Sequence, residues 1–121
     1  MQIHIQALNI ALSNANRRHI ERRLGFALSV HDDHIFKVNV RLSDINGPRG
    51  GEDKCCQIQV VMPKLADVFI EDTEAELTTA INRAADRTGR TVARQLDRHR
   101  DKGRSTKVHK ILPLNEISEL N

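Results

Sequence analysis

The sequence predicts an α+β domain in the order β-α-β-β-β-α, with a four-stranded sheet that carries both helices on one face. The length of 121 residues corresponds to one domain, since domains typically span about 100–200 residues. Apolar and polar residues alternate in several short segments, which is typical of half-buried strands. Two longer segments repeat their apolar residues at helical spacing, so both element types are present.

The first half of the chain predicts a strand, a helix and a second strand. Alternation over 2–7 indicates the first strand, and Ser13 is a suitable N-cap for a helix over about 14–29. The apolar face of this helix consists of Ile20, Leu24, Ala27 and Leu28. The segment 35–43 is the clearest strand, and its expected inward residues are Phe36, Val38, Val40 and Leu42. A loop rich in glycine follows it.

Two further strands come next along the chain. The third strand is expected over 54–62, with Ile58 and Val60 among its inward residues. A short fourth strand is expected over 66–71, where the phase is open because Val68 and Ile70 compete with Phe69 for the core side.

A long helix completes the prediction. Thr73 and Glu76 form a capping box, which predicts a helix from there to about residue 101. Gly89 in its middle allows either a close approach to the sheet or a slight bend. A right-handed crossover makes the first two strands parallel neighbours, and the second to fourth strands then form an antiparallel meander. Both helices cover the same face, because this hides two apolar stripes and one apolar side of the sheet.

The composition limits the kinds of function. The three aromatic residues, Phe26, Phe36 and Phe69, lie in apolar patterns, so we expect them in the core. If the protein binds a nucleic acid, we therefore expect it to recognise the phosphate backbone and the shape of that nucleic acid, and not to stack on its bases. No apolar run approaches the roughly 18–20 residues that span a bilayer, and the N-terminus lacks a signal-peptide pattern. Adjacent Cys55 and Cys56 predict reduced thiols, one in the core and one at the surface, in a cytoplasmic protein.

The net charge of +3 averages over unlike segments. Residues 1–30 hold four arginines and one glutamate, residues 31–76 hold five basic and ten acidic side chains, and residues 77–110 hold ten basic and three acidic side chains. A binding partner interacts with this local distribution of charge and not with the net charge of the whole chain. Arginine outnumbers lysine 13 to 6, and its planar fork of donors suits phosphate.

Five arginines of the long helix share one face. They are Arg83, Arg87, Arg90, Arg94 and Arg98. At about 100° per residue they fall within a sector of roughly 80°, opposite the apolar face. Like charges at this spacing repel, and only Asp86 and Asp97 lie near enough along the helix to offset them. The pattern favours binding of a phosphate backbone over a merely solvated face. Candidates to widen the patch are Arg18, Arg22 and Arg23 on the first helix and Arg49 in the loop.

Other chemistry has little support in the sequence. His31 and His34 with the two aspartates between them fit no strong template for a metal, so no metal site is expected. No carboxylate pairs with a histidine or a nucleophile in a recognisable catalytic arrangement, and no glycine-rich loop joins a strand to a helix. We therefore expect no enzymatic activity, no cofactor and no small-molecule substrate.

Several segments resemble the ribosome hibernation promoting factors, also called ribosome-associated inhibitor A or sigma-54 modulation proteins. The most specific is the end of the second helix, residues 93–102 (ARQLDRHRDK), and residues 71–77 resemble its beginning. Further agreement lies in residues 1–3, 41–44, 46–51 and 80–81. The resemblance covers residues 1–102.

The resemblance implies a fold similar to a double-stranded-RNA-binding domain, with a ribosome-binding domain over 1–102 and a flexible tail over 103–121. It implies binding to rRNA of the small ribosomal subunit, in the channel of mRNA and tRNA, and inhibition of translation in stationary phase or stress. The rRNA contacts that it implies are Arg22, Arg23, Arg87, Arg90, Arg94, Arg98, Arg100 and Lys102. The arginine row of the long helix adds Arg83 to the candidate RNA-binding residues. The helix is about one turn longer than in many relatives near Arg83 and Arg87, and a turn leaves the face unchanged.

The length of the chain leaves two roles open within that family. Short forms favour ribosome pairing, whereas the inhibitor-A type carries a tail along the mRNA path that opposes pairing, and the tail after Gly103 is intermediate. The long forms add a dimer-forming domain, for which this chain is too short. We therefore expect a monomer off the ribosome, with the 70S ribosome as a further partner and no membrane. The alternatives are a general RNA chaperone, or a protein-binding transcription modulator that acts through acidic residues 31–76 or the tail.

Overall fold

The computed structural model describes residues 1–45 and 53–108, with side chains for 1–45 and 53–100. In chain order it contains β1 (Gln2–Leu8), α1 (Asn14–Leu28), a 3-10 helix (Ser29–His34), β2 (Lys37–Asp44), β3 (Lys54–Val61), β4 (Val68–Glu74) and α2 (Leu77–Val108). The predicted α+β class and the order β-α-β-β-β-α are confirmed. The chain divides into two compact units, residues 1–90 and 91–121, and the boundary falls within α2.

The four strands form one sheet in the order β1-β2-β3-β4. β1 runs parallel to β2, with Ile5 opposite Val40. β2 and β3 are antiparallel, as are β3 and β4. The parallel pair results from the crossover through α1, and the other two pairs follow from short connections, so the expected meander is confirmed.

The core of the first unit is aliphatic. Alternation along β2 buries Val38, Val40 and Leu42 while the residues between them remain accessible. α1 begins where Ser13 accepts a hydrogen bond from the Asn16 N–H at 3.1 Å, as expected of an N-cap. The helices contribute to this core the buried residues Ile20, Leu24, Leu28, Ala80, Ile81, Ala84, Ala85 and Thr88.

The prediction that the three phenylalanines lie in the core is wrong. Phe26 is 87% exposed, Phe36 56% and Phe69 71%. On α1 the core positions are Leu24 and Leu28, and Phe26 lies about 200° around the helix from each of them. The aliphatic residues therefore determine the phase of the element, and the aromatic ring is left in solvent.

The same reasoning explains the other two aromatic positions. Val68 and Ile70 are buried, which resolves the phase of β4 and leaves Phe69 on the opposite face of the sheet. Phe36 precedes β2, and its neighbour Ile35 is the buried residue at the end of the 3-10 helix. The alternation of β2 thus begins only after Phe36.

The predicted capping box is also wrong. Thr73 and Glu74 are the last residues of β4, where Glu74 is paired with Lys54 of β3. α2 begins at Leu77, and the Ala80 N–H donates to the Glu76 carbonyl at 3.1 Å. Pairing in the sheet takes precedence over the local cap. α2 continues to Val108 instead of ending near residue 101.

Both cysteines are buried free thiols, so the expectation of one surface thiol is wrong. Cys56 faces the core, and burial raises its pKa to about 12. Cys55 lies on the opposite face of β3, where it donates to a Glu71 carboxylate oxygen at 3.3 Å. Burial and Glu71 both raise the pKa of the Cys55 thiol.

Gly89 lies where α2 approaches another element closely. That element is α1 and not the sheet. A Cβ built on Gly89 would meet the Cβ and the carbonyl oxygen of Ala27 in α1. Within the described helices, no segment has the length and apolar character needed to cross a membrane.

Candidate nucleic-acid interface

The arginines of α2 are on its solvent-exposed side, as the spacing predicts. Arg83, Arg87 and Arg90 are exposed in the first unit. Arg94, Arg98 and Arg100 are exposed in the second. The buried side of α2 begins with Ala80 and Ile81. The apolar periodicity therefore turns one side of the helix inward and leaves the cationic side accessible.

Two arginines of this row are held by β4. The Arg87 Nη1 donates to a carboxylate oxygen of Asp72 at 3.1 Å and to the backbone carbonyl of Glu71 at 2.8 Å. The Arg83 Nε lies 3.1 Å from a carboxylate oxygen of Glu74 and 3.8 Å from Asp72. These acidic residues are distant in sequence, so spacing along the helix does not reveal them. Part of the charge of the row is consequently neutralised within the chain.

The remaining arginines of the row keep their charge. In the described part of the chain, Arg90 has no acidic partner. Arg94 donates to the hydroxyl of Thr91 at 3.4 Å, and Arg98 donates to the side-chain carbonyl of Gln95 at 3.2 Å. Both of these acceptors are neutral, so they orient the guanidinium without cancelling its charge.

The last predicted contacts of α2 differ from these. Arg100 forms an ion pair with Asp97 at 2.5 Å, with both side chains more than half exposed. The side chain of Lys102 lies outside the described residues, as does Arg49. Asp97 therefore offsets Arg100 and not one of the five arginines of the row.

The first helix contributes three exposed arginines, Arg17, Arg18 and Arg22, and a fourth that ties the helices together. Arg23 donates to Asp86 of α2 at 2.9 Å. One turn earlier the His19 ring nitrogen and the Asn82 side-chain oxygen are 2.7 Å apart. Arg18 and Arg22 are exposed and have no acidic partner among the described residues. Arg22 is therefore available to a ligand, whereas Arg23 is engaged in the α1–α2 contact.

The other face of the sheet has a different character. It forms a cavity of about 650 Å³. The polar side chains that line it include His4, Gln6, Asn39, Arg41, Gln57 and Gln59. Asn39 donates to the Gln59 side-chain carbonyl at 3.0 Å, and Gln59 donates to an Asp67 carboxylate oxygen at 2.8 Å, so both amides already have partners within the chain. The concentrated positive charge lies on the helices. Among the described residues no group of three potential metal ligands comes together.

Two solved structures resemble this fold. The Thermus thermophilus Protein Y N-terminal domain superposes with a TM-score of 0.65 and 28% sequence identity, over 78% of this chain and 98% of that one. A ribosomal subunit interface protein from Coxiella burnetii superposes with a TM-score of 0.63 and 13% identity, over 78% and 96% of the two chains. The second likeness shows the fold alone. A comparison with curated protein sequences gives no match.

The family follows from a match between the amino-acid sequence and a family model. Residues 3–104 match the model of one family, described as sigma 54 modulation protein / S30EA ribosomal protein. The match includes β1 from residue 3 onward, the other three strands, α1, and α2 as far as residue 104. This chain belongs to the sigma 54 modulation protein / S30EA ribosomal protein family.

Proposed function

We propose that this protein binds rRNA of the small ribosomal subunit, in the channel used by mRNA and tRNA, and inhibits translation during stationary phase or stress. One observation carries the proposal: Arg90, Arg94 and Arg98 follow one another at steps of four on α2 and have no acidic partner among the described residues. The family is one of ribosome-associated factors and not of enzymes. The ribosome is cytoplasmic, so the protein acts there.

The proposed mechanism is occupancy without chemistry. Arginines that neutralise rRNA phosphates release the counterions condensed on them, which favours binding strongly at low salt. The folded body then occupies space that mRNA and tRNA need. Affinity should therefore fall steeply as the salt concentration rises.

The other predicted contacts contribute unequally. Arg22 is exposed and free of acidic partners in the described residues, so it joins the phosphate-binding set. Three arginines form ion pairs with carboxylates of the chain, namely Arg23, Arg83 and Arg87. To bind rRNA, each of them must replace its carboxylate partner by a phosphate. Arg100 must likewise leave Asp97. Lys102 stays in the proposed set on the family resemblance alone.

The acidic middle of the chain is a weaker candidate for a protein-binding surface. Asp72 and Glu74 hold arginines of α2. Asp44 and Asp53 both pair with Lys54, and Asp53 in particular raises the pKa of that lysine. These carboxylates stabilise the fold, so fewer remain for a basic partner.

The test is to replace the three arginines together. We expect R90A/R94A/R98A to weaken binding to purified small subunits by orders of magnitude at moderate salt, and to reduce the salt slope by about two to three. Sedimentation with small subunits at several salt concentrations measures both. The matched control is K37A/R41A/K64A, which removes three positive charges elsewhere in the described residues. Equal sedimentation of the triple variant and the wild type would contradict the proposal.

A competition experiment separates the ribosome from RNA in general. A factor that occupies the channel should be displaced from small subunits by mRNA together with tRNA. It should bind free duplex RNA much more weakly. Comparable affinity for duplex RNA, without displacement by mRNA and tRNA, would instead identify a general RNA chaperone.

The tail beyond α2 remains a proposed regulator of ribosome pairing. Because the helix runs to Val108, a truncation after that residue removes the tail without cutting the helix. Sucrose-gradient profiles of stationary-phase lysates, with the full chain and with residues 1–108, report pairing directly. More paired ribosomes with the truncated chain indicate that the tail opposes pairing, and fewer indicate that it promotes pairing.

A further inference from the structure

The outer side of α1 carries an aromatic ring in line with two arginines. Arg18, Arg22 and Phe26 follow at steps of four, which places them within a sector of about 80°. All three are exposed, and Phe26 has 87% of its surface accessible. Val30, four residues further along, is 82% exposed. The exposed ring of Phe26 is therefore available to a ligand, on the same side of the helix as the two arginines.

The surface beside this ring is bare. Gly25 precedes Phe26 within α1, and a Cβ built on it would meet no atom within 4 Å. Glycine is the least favourable residue in a helix after proline. The fold of the described residues thus gives no steric reason for a glycine here, in contrast to Gly89, where a Cβ would meet Ala27. A ligand that approaches the helix backbone closely would supply such a reason.

We propose that Phe26 stacks on an unpaired base of the RNA whose phosphates Arg18 and Arg22 bind. The inference rests on the proposed rRNA binding and adds a base-contacting residue to it. Arg22 and Phe26 are separated by about 6 Å along the helix axis, a distance comparable to that between a phosphate and the next base in a single strand. Cationic side chains that hold the backbone beside an aromatic ring that stacks on bases are the usual combination in single-strand recognition.

The charge of the surroundings favours RNA over an apolar protein segment. An apolar helix or strand would need a continuous apolar stripe, whereas the ring is followed toward the N-terminus by Arg22 and Arg18. These arginines have no acidic partner among the described residues. Gly25 opens the helix surface next to the ring, which provides space for a flat base.

The first experiment uses the absence of tryptophan from the chain. A Phe26→Trp variant labelled with 5-hydroxytryptophan carries a single fluorophore, which can be excited apart from the tryptophans of ribosomal proteins. Stacking on a base should quench its emission when purified small subunits are added. The matched control is Phe69→Trp with the same label, since Phe69 is 71% exposed on the other face of the sheet. Its emission should not change.

Three outcomes would overturn the proposal. An unchanged or brighter, blue-shifted emission at position 26 would show that no base stacks there. Quenching at position 69 alone would place the base contact on the sheet face. Equal quenching at both positions would report a general effect of the ribosome instead of a contact.

The second experiment measures affinity and separates this proposal from the function on which it rests. We expect F26A to weaken binding to small subunits about five- to a hundredfold, as loss of one base stack does, with F26Y close to wild type. G25Q should weaken binding while the fold is retained, because its side chain fills the space beside the ring. If F26A and G25Q bind like the wild type while R90A/R94A/R98A does not, the stacking proposal fails and the rRNA-binding proposal stands. If the triple arginine variant also binds normally, both fail.

Discussion

A Cβ placed on Gly89 of α2 would lie 3.1 Å from the Cβ of Ala27 in α1 and 3.2 Å from the Ala27 carbonyl oxygen. Two helices can approach this closely only where one of them lacks a side chain. Neither neighbouring atom is the end of a flexible side chain, so an added methyl group would force the backbones apart.

The contact predicts opposite effects for two glycines. G89A should lower the free energy of unfolding by about 1 kcal/mol or more, because the overpacking cost of about 1–3 kcal/mol exceeds the gain in helix propensity. G25A should raise it by up to about 1 kcal/mol, because its methyl group meets open space. Urea denaturation followed by circular dichroism measures both. A G89A variant more stable than the wild type would show that the helices separate at little cost.

The exposed phenylalanines should contribute little to stability. We expect Phe26→Ser and Phe69→Thr to change the free energy of unfolding by no more than about 0.5 kcal/mol. Ile81→Ala, at a fully buried position of α2, should cost about 2–5 kcal/mol. Thermal unfolding of the three variants provides the comparison. A large loss for either phenylalanine variant would mean that its ring is covered in solution.

Removing the carboxylate of Asp72 should strengthen RNA binding. Asp72 lies between Arg83 and Arg87, and the Asp72→Asn change leaves these two arginines with less internal compensation. We expect higher affinity for small subunits and a steeper salt dependence, with a modest loss of stability because the arginines are exposed. Sedimentation across a salt series measures the effect.

The control for this change is Asp33→Asn, which alters the net charge equally at an exposed site in the 3-10 helix. Its affinity should rise less than that of Asp72→Asn. Equal increases would mean that the total charge matters and that Arg83 and Arg87 do not reach the RNA.

The buried thiol of Cys56 predicts a loss of stability in alkali. Its pKa is raised to about 12 in the folded chain, whereas an unfolded thiol ionises near its ordinary value of 9. The contribution is therefore present below pH 9 and is lost as the pH rises toward 12. Between pH 8 and 10 the wild type should lose on the order of 1 kcal/mol more than C56A does. Urea denaturation of both proteins at the two pH values tests this, and parallel losses would contradict it.

The elements were predictable from sequence where a regular pattern spans many residues. The aliphatic alternation of β2 and the helical spacing of α1 determine which residues face the core, and the order of the elements follows from them. Hydrophobicity alone predicts a buried Phe26, whereas the helical spacing of Leu24 and Leu28 defines the buried side of α1 and leaves Phe26 outside it. Periodicity was the better guide than hydrophobicity.

The features that sequence missed all depend on contacts between distant segments. The local capping pattern predicts a start of α2 near Thr73, but the pairing of Glu74 with Lys54 extends β4 past that point. The ion pairs of Arg83 and Arg87 involve β4, which no spacing along α2 reveals. Of the candidate site, the exposed cationic side of the helix was predictable, whereas the distinction between engaged and available arginines required the fold.

The unequal faces of the first unit have a kinetic consequence. Arg18, Arg22 and Arg90 are exposed on the helices, whereas the amide-lined face of the sheet carries Arg41 and Glu71 with opposite charges. The electric field of a polyanion orients a molecule with such a charge distribution before the two come into contact. The helices should then face the polyanion when they meet. Salt should then slow association far more than it speeds dissociation, and productive collisions should be more frequent than for an evenly charged domain of the same size.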